Sequence, residues 1–122
     1  MSDELLARAE AIARRAYAPY SSYLVGAAVL SRDGRIFEGV NVENAAYPLG
    51  VCAERTAISR AVVDGCTPGD LEAIAITASP CGGCRQWLHE FRFERVTFRR
   101  ADGGIASYTP AELLPETWDL PG

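Results

Sequence analysis

Cys52, Cys81 and Cys84 constrain this chain more than any other feature of it. They fall in two short stretches, Cys52-Ala53-Glu54-Arg55 and Ser79-Pro80-Cys81-Gly82-Gly83-Cys84-Arg85-Gln86, and each stretch reads as the start of a helix. The partial positive charge at a helix N-terminus favours thiolate over thiol. Cys81 and Cys84 are three residues apart, so one helical turn lets both reach a common point. A fold that sets the two helix starts facing each other at one end of a sheet completes a three-thiolate pocket. Three thiolates hold a zinc ion, one per chain, and leave its fourth position open to water. Glu54, two residues past the first thiol, is then a carboxylate that does not ligate the ion and moves protons for that water.

The same residues have competing readings. Cys-x-x-Cys alone suits a redox pair, but a redox pair has no use for Cys52 and Glu54. A closed structural zinc site needs a fourth ligand. Cys66 follows Cys52 by fourteen residues across the expected helix. At ~1.5 Å per residue the two are separated by roughly 20 Å, against a zinc–sulfur bond of about 2.3 Å. Cys66 is therefore expected as a half-buried small residue at a helix end. His89, the only histidine, lies five residues past Cys84 on another face of its helix and is read as a surface or internally satisfied residue. Glu54 by itself would be a surface acid of a first helical turn. Its pairing with Cys52, and with Pro80-Cys81-x-x-Cys84 at a distance one βα unit bridges, favours the catalytic reading.

Size and charge narrow the partners. The 122 residues suit one domain, 1–122, with a single well-buried core. The longest apolar runs are far short of a membrane span, and the acidic start Met1-Ser2-Asp3-Glu4 is neither a secretory signal nor a transit peptide. A cytoplasmic protein with no membrane partner is expected. A net charge of −4 argues for a small substrate over a nucleic acid polymer. The cluster Arg92, Arg95, Arg99 and Arg100 is read as a solvated helix end and strand face. Four cysteines in a cytosolic setting point to metal or catalysis sooner than to disulfides.

Periodicity predicts the order αββαβαββα. Ser2 is the expected cap of a first helix, with Leu5, Ala9, Ile12 and Ala16 on one face, fading by Ala18 before Pro19. Strands are expected over Leu24–Leu30 and Arg35–Val42, joined at Asp33-Gly34. A helix follows over Cys52–Asp64, ended by Gly65, then a buried strand over Leu71–Thr77 with Ile74 and Ile76 on one face. A helix over Gly82–Phe93, strands over Val96–Arg99 and Ile105–Tyr108, and a helical turn opened by Pro110 complete the chain. This is an α/β protein, a mixed five-stranded sheet with helices on both faces, and its parallel crossovers are expected to be right-handed.

The chain resembles the small cytidine deaminases that act on free nucleosides. The resemblance runs through Tyr17-Ala18-Pro19-Tyr20-Ser21, Val25-Gly26-Ala27-Ala28, Gly39-Val40-Asn41-Val42-Glu43-Asn44-Ala45-Ala46-Tyr47, Cys52 to Ala57, Ser79 to Gln86 and Glu112-Leu113-Leu114-Pro115, in the family's order. It implies a three-layer αβα fold, zinc on Cys52, Cys81 and Cys84, and Glu54 as proton shuttle. It implies that Asn41 and Glu43 bind sugar hydroxyls, that Tyr23 lines the nucleoside pocket, and that the Ala53 backbone helps read the base. It implies that Tyr47 belongs to a loop that, in the family, approaches a neighbouring subunit's site. Trp118 aligns with an aromatic residue that, in the family, covers the pyrimidine from a neighbouring chain, which implies a homotetramer with shared sites. These roles are chemically coherent. Asn41 and Glu43 are two apart on a strand end and point the same way, and a carboxylate is a poor neighbour for a 5′-phosphate. Arg55 beside the sulfurs would offset their negative charge, unless it is a plain surface arginine.

Two departures from the family stand out. Only Thr77-Ala78-Ser79 separates the Ile76 strand from Pro80, where a longer loop is usual, and Gly83 replaces a frequent alanine. The reaction implied is hydrolysis of cytidine or 2′-deoxycytidine to the uracil nucleoside and ammonia, in pyrimidine salvage. Two other readings remain open: a sister aminopyrimidine deaminase acting on a cytosine-nucleoside antibiotic or modified nucleoside, and a non-catalytic zinc-stabilised binding module.

Overall fold

The structure, a computed structural model, describes residues 2–121. Its elements are α1 (Ser2–Ile12), β1 (Gly26–Ser31), β2 (Ile36–Val40), α2 (Ala53–Val63), β3 (Leu71–Ile76), α3 (Gly82–Glu90), β4 (Arg95–Arg99), β5 (Ile105–Tyr108) and α4 (Pro110–Leu113). The five strands form one sheet in the order β2-β1-β3-β4-β5. β1 runs antiparallel to both β2 and β3, β3 and β4 are parallel, and β4 and β5 are antiparallel. The expected mixed sheet is present.

Strand alternation divides the core in two. Val29, Ile74, Ile76, Val96 and Phe98 face a cluster completed by Ala57, Ile58 and Ala61 of α2 and Leu88 of α3. Ala28, Leu30, Ala73 and Ala75 face the other way and pack under Leu5, Leu6 and Ala9 of α1. With helices on both sides, β1 is buried at every position, which is why its sequence is a continuous apolar run. α2 lies against β2 so closely that a Cβ on Gly39 would overlap the Ala57 nitrogen and the Ala53 carbonyl. Glycine there sets the height of the helix over the sheet.

Several boundaries differ from expectation, each because a tertiary contact takes over the backbone. The first helix ends at Ile12 with a 3-10 turn over Ala13–Arg15, instead of reaching Ala18. Ala16 is extended, and the Tyr17 amide donates to the Asn41 carbonyl (3.0 Å), so this segment leaves the helix to pair beside Val42. Ser2, the expected cap, already lies in the helix, and its side chain falls outside what the structure describes. β1 starts at Gly26 because the Val25 amide donates to the Asn41 side chain (2.8 Å). α3 stops at Glu90, and Arg92 takes a left-handed backbone (φ 58°) that turns Phe93 into the core. Among the described residues no helix is long and apolar enough to cross a membrane.

Candidate active site

Sheet topology brings the two helix starts together. β2 and β3 are each antiparallel to β1, so both carry the chain to the same end of the sheet. Beyond β2 the chain returns through a bridge between Val42 and Val51, and α2 begins with Cys52 as its N-cap residue. Beyond β3 the short segment Thr77–Pro80 leads into α3, with Cys81 as its N-cap residue. Both cap residues have extended backbones (ψ 156° and 168°), which turn their side chains across the ends of the helices.

The sulfurs of Cys52, Cys81 and Cys84 lie within 4.8 Å of one another, with Cys52 and Cys81 3.9 Å apart. Tetrahedral zinc with bonds of about 2.3 Å sets its sulfurs roughly 3.8 Å apart, so the spacing fits. The thiol chemistry fits as well. Cys52 is pulled down to about 6, chiefly by its hydrogen bond with Cys84 and in part by the Arg55 charge. The same hydrogen bond, with burial, pushes Cys84 up. Sulfurs this close cannot all give up their protons unless a cation sits among them. Cys66 is excluded from the group: it is buried at the far end of α2 against the core, where the Arg35 guanidinium donates to its sulfur (3.5 Å). It is fully buried, not half-buried, because this contact and the core close over it.

Glu54 sits in the first turn of α2 and is only 4 % exposed. Burial, and then the charge on Cys52, raise its carboxyl pKa above the usual carboxylate range, which suits a group that both accepts and returns a proton. Its neighbour Arg55 lies with Cζ 5.9 Å from the Trp87 ring, and its Nε is buried without a hydrogen-bond partner. A Cβ on Gly83 would run into the Arg55 guanidinium, so alanine at this position would require the end of that side chain to shift.

A pocket of about 230 Å³ opens onto the thiols. Tyr23, Asn41, Cys52, Ala53, Glu54 and Cys81 line it, six of the residues singled out from the sequence. Val25, Ile76, Ala78 and Ser79 line it too, none of them singled out from the sequence as a site residue. Ala78 and Ser79 show that the shortened loop still supplies a wall. Glu43 stands beside the pocket, and its carboxylate accepts from the Tyr20 amide (2.9 Å), the Ser21 amide (3.1 Å) and the Ser21 hydroxyl. Asn41 accepts from the Val25 amide and donates to the Tyr23 carbonyl (2.9 Å). Both residues thus hold the 20–25 segment over the site, a duty their sequence positions did not reveal.

Tyr47 and Trp118 lie outside this pocket. Tyr47 is 73 % exposed, with its ring edge-on to Tyr20. Trp118 is 64 % exposed and borders a groove between α2 and α3 shared with Val62, Val63, Trp87 and Phe91. The tail that carries it is tied to α3, since Gln86 donates to the Trp118 carbonyl (3.0 Å) and His89 pairs with Asp119 (2.8 Å). His89 is therefore satisfied internally, as expected.

The family model for the cytidine and deoxycytidylate deaminase zinc-binding region matches residues 1–100. The chain belongs to this deaminase family. A cytidine deaminase of Sporosarcina psychrophila is 42 % identical over 121 residues, covering 93 % of this chain and 88 % of that protein. One from Halalkalibacterium halodurans is 44 % identical over 116 residues, covering 87 % and 86 %. The crystal structure of the cytidine deaminase from Burkholderia pseudomallei superimposes with a TM-score of 0.91 at 38 % identity, over 97 % of this chain and 99 % of that one. Within the deaminase family, then, the sheet with its two helical layers has a solved counterpart on nearly the same length of chain.

Proposed function

We propose that residues 1–122 form one deaminase domain that hydrolyses cytidine and 2′-deoxycytidine to uridine and 2′-deoxyuridine, releasing ammonia. The observation that carries this reading is a buried carboxylate, Glu54, beside three convergent thiols at the base of a small pocket. Cys52, Cys81 and Cys84 would hold the zinc, which would supply a Lewis-acid centre able to lower the pKa of a water. Glu54 is placed to accept a proton from the attacking water and to deliver it to N3 of the pyrimidine as the water oxygen bonds to C4. Glu54 then carries the second proton to the exocyclic amine, the C4–N bond breaks, and ammonia leaves a carbonyl at C4. Ala53 presents backbone to the base, Tyr23 walls the pocket, and Asn41 and Glu43 take the sugar hydroxyls with the hydrogen-bonding capacity their loop contacts leave free. Arg55 offsets the negative charge of the sulfurs.

The working form in this reading is a cytoplasmic homotetramer with shared sites. Tyr17, Tyr20, Tyr23, Tyr47 and Leu49 are all exposed, and Val62, Val63 and Trp118 are exposed along the α2–α3 groove. Apolar surface gathered in this way marks an interface. Tyr47 and Trp118 serve neighbouring sites, and Trp118 lies flat over the pyrimidine to exclude water.

The test is direct. Purified zinc-loaded protein is incubated with cytidine, 2′-deoxycytidine, cytosine and a cytosine-nucleoside antibiotic, and ultraviolet absorbance and ammonia are followed together. Turnover of the two nucleosides, with little of free cytosine, is the expected result. Preference for the antibiotic would move the protein to the sister activity, and no turnover of any substrate would leave a zinc-stabilised binding module.

A further inference from the structure

We propose that Ser21 is a positioning residue that fixes the Glu43 carboxylate and the Tyr23 wall relative to each other, and so sets discrimination for nucleosides carrying ring hydroxyls. The inference rests on the reading of Glu43 as a sugar-binding group. A hydroxyl offers one donor and two acceptor sites. Ser21 spends its donor on Glu43 and one acceptor on the Tyr23 amide (3.0 Å). One side chain therefore bonds both the sugar side and the base side of the pocket entrance.

The rest of the loop is built around this link. The Tyr20 and Ser21 amides converge on the other Glu43 oxygen. Ser22 holds a left-handed backbone (φ 60°), an uncommon state for a residue with a side chain, and its amide donates to the Ala18 carbonyl (3.0 Å). The Glu43 amide donates to the Tyr17 carbonyl (2.8 Å), anchoring the strand end to the start of the same segment. A carboxylate has about four acceptor sites, and these contacts fill three of them. What remains is a single acceptor in a fixed direction, which is what recognition of one hydroxyl needs. The Ser21 hydrogen bond also holds the Glu43 carboxyl below the usual carboxylate range, keeping it an acceptor.

The experiment compares cytidine with 2′,3′-dideoxycytidine on zinc-loaded Ser21→Ala, Ser21→Thr and Glu43→Gln. Both substrates are assayed on the same preparation, so the ratio of their kcat/KM values does not depend on the folded fraction. A hydrogen bond to a charged group corresponds to about tenfold or more in binding. Ser21→Ala is expected to cut the cytidine preference by about that factor through KM, with kcat within about threefold and a clearly smaller loss on the dideoxy substrate, which feels only the loosened Tyr23 wall. Ser21→Thr, which keeps the hydroxyl, restores most of the preference. Amide hydrogen exchange over residues 20–23 should quicken in Ser21→Ala and not in Ser21→Thr. Equal loss on both substrates, or no change in their ratio, would overturn the role of Ser21. If Glu43→Gln itself keeps the full preference, the sugar-binding reading of Glu43 fails. If Glu43→Gln loses the preference and Ser21→Ala keeps it, only the Ser21 inference fails.

Discussion

At the level of single residues, the chemistry concentrates in a few side chains whose neighbours define their work. Glu54→Gln preserves shape and hydrogen bonding but cannot carry a proton. Turnover should fall by roughly 10²–10⁴-fold, the usual share of a general acid–base group, while metal analysis still finds one zinc per chain. The metal set gives a second expectation: Cys84→Ser should lose zinc, and Cys66→Ser should keep it, since the Cys66 sulfur faces Arg35. Away from the site, Asp33 is lowered to about 2, first by its hydrogen bond to Ser31 and then by Arg35. Its folded value lies below its ordinary one, so its contribution to stability is present above about pH 4 and is lost as pH falls toward 2. Denaturation midpoints of the parent and Asp33→Asn should differ by a constant amount from pH 7 to 5 and converge between about pH 4 and 2.

At the level of elements, close approach of backbones decides geometry that side-chain pattern alone does not. Gly39→Ala forces α2 off β2 and should cost about 1–3 kcal/mol in urea unfolding, as overpacking does. Because α2 carries Cys52 and Glu54, the same substitution should also lower zinc retention against a chelator. The sequence made the element order, the strand directions and the convergence of three thiols legible, since periodicity and a rare set of cysteines report on them directly. It did not disclose where α1 and α3 end. Those ends depend on Asn41 capturing Tyr17, and on Arg92 turning left-handed, contacts between residues far apart or against propensity. Ser21 was equally hidden: a serine in a loop has no periodicity, and its partner Glu43 lies twenty-two residues away. Arg55 was half legible, its charge suggesting a partner for the sulfurs but not its place beside Gly83 and Trp87.

At the level of the whole molecule, the apolar rim and the tethered tail raise the question of assembly. If Trp118 serves a neighbouring site, Trp118→Ala should raise KM with zinc content unchanged. Joint refolding of Glu54→Gln chains with Trp118→Ala chains should recover activity that neither has alone, because some sites then combine both intact residues. No recovery in mixed oligomers, or full activity in a stable monomer, would refute sharing. His89→Leu, which frees Asp119, should speed amide exchange over residues 115–120 and leave the zinc centre alone. The arrangement of β2 and β3 on either side of β1 bears on how the enzyme matures. Cys52 and Cys81 meet only after β1 has found β3, a pairing that joins Ala27 to Ile76 across about two-fifths of the chain and so carries a large loop-closure cost. Metal capture is thereby gated by the longest-range strand pairing of the sheet. An incompletely folded chain has no three-thiolate cage with which to sequester zinc, and the ion, once bound, clips that step shut.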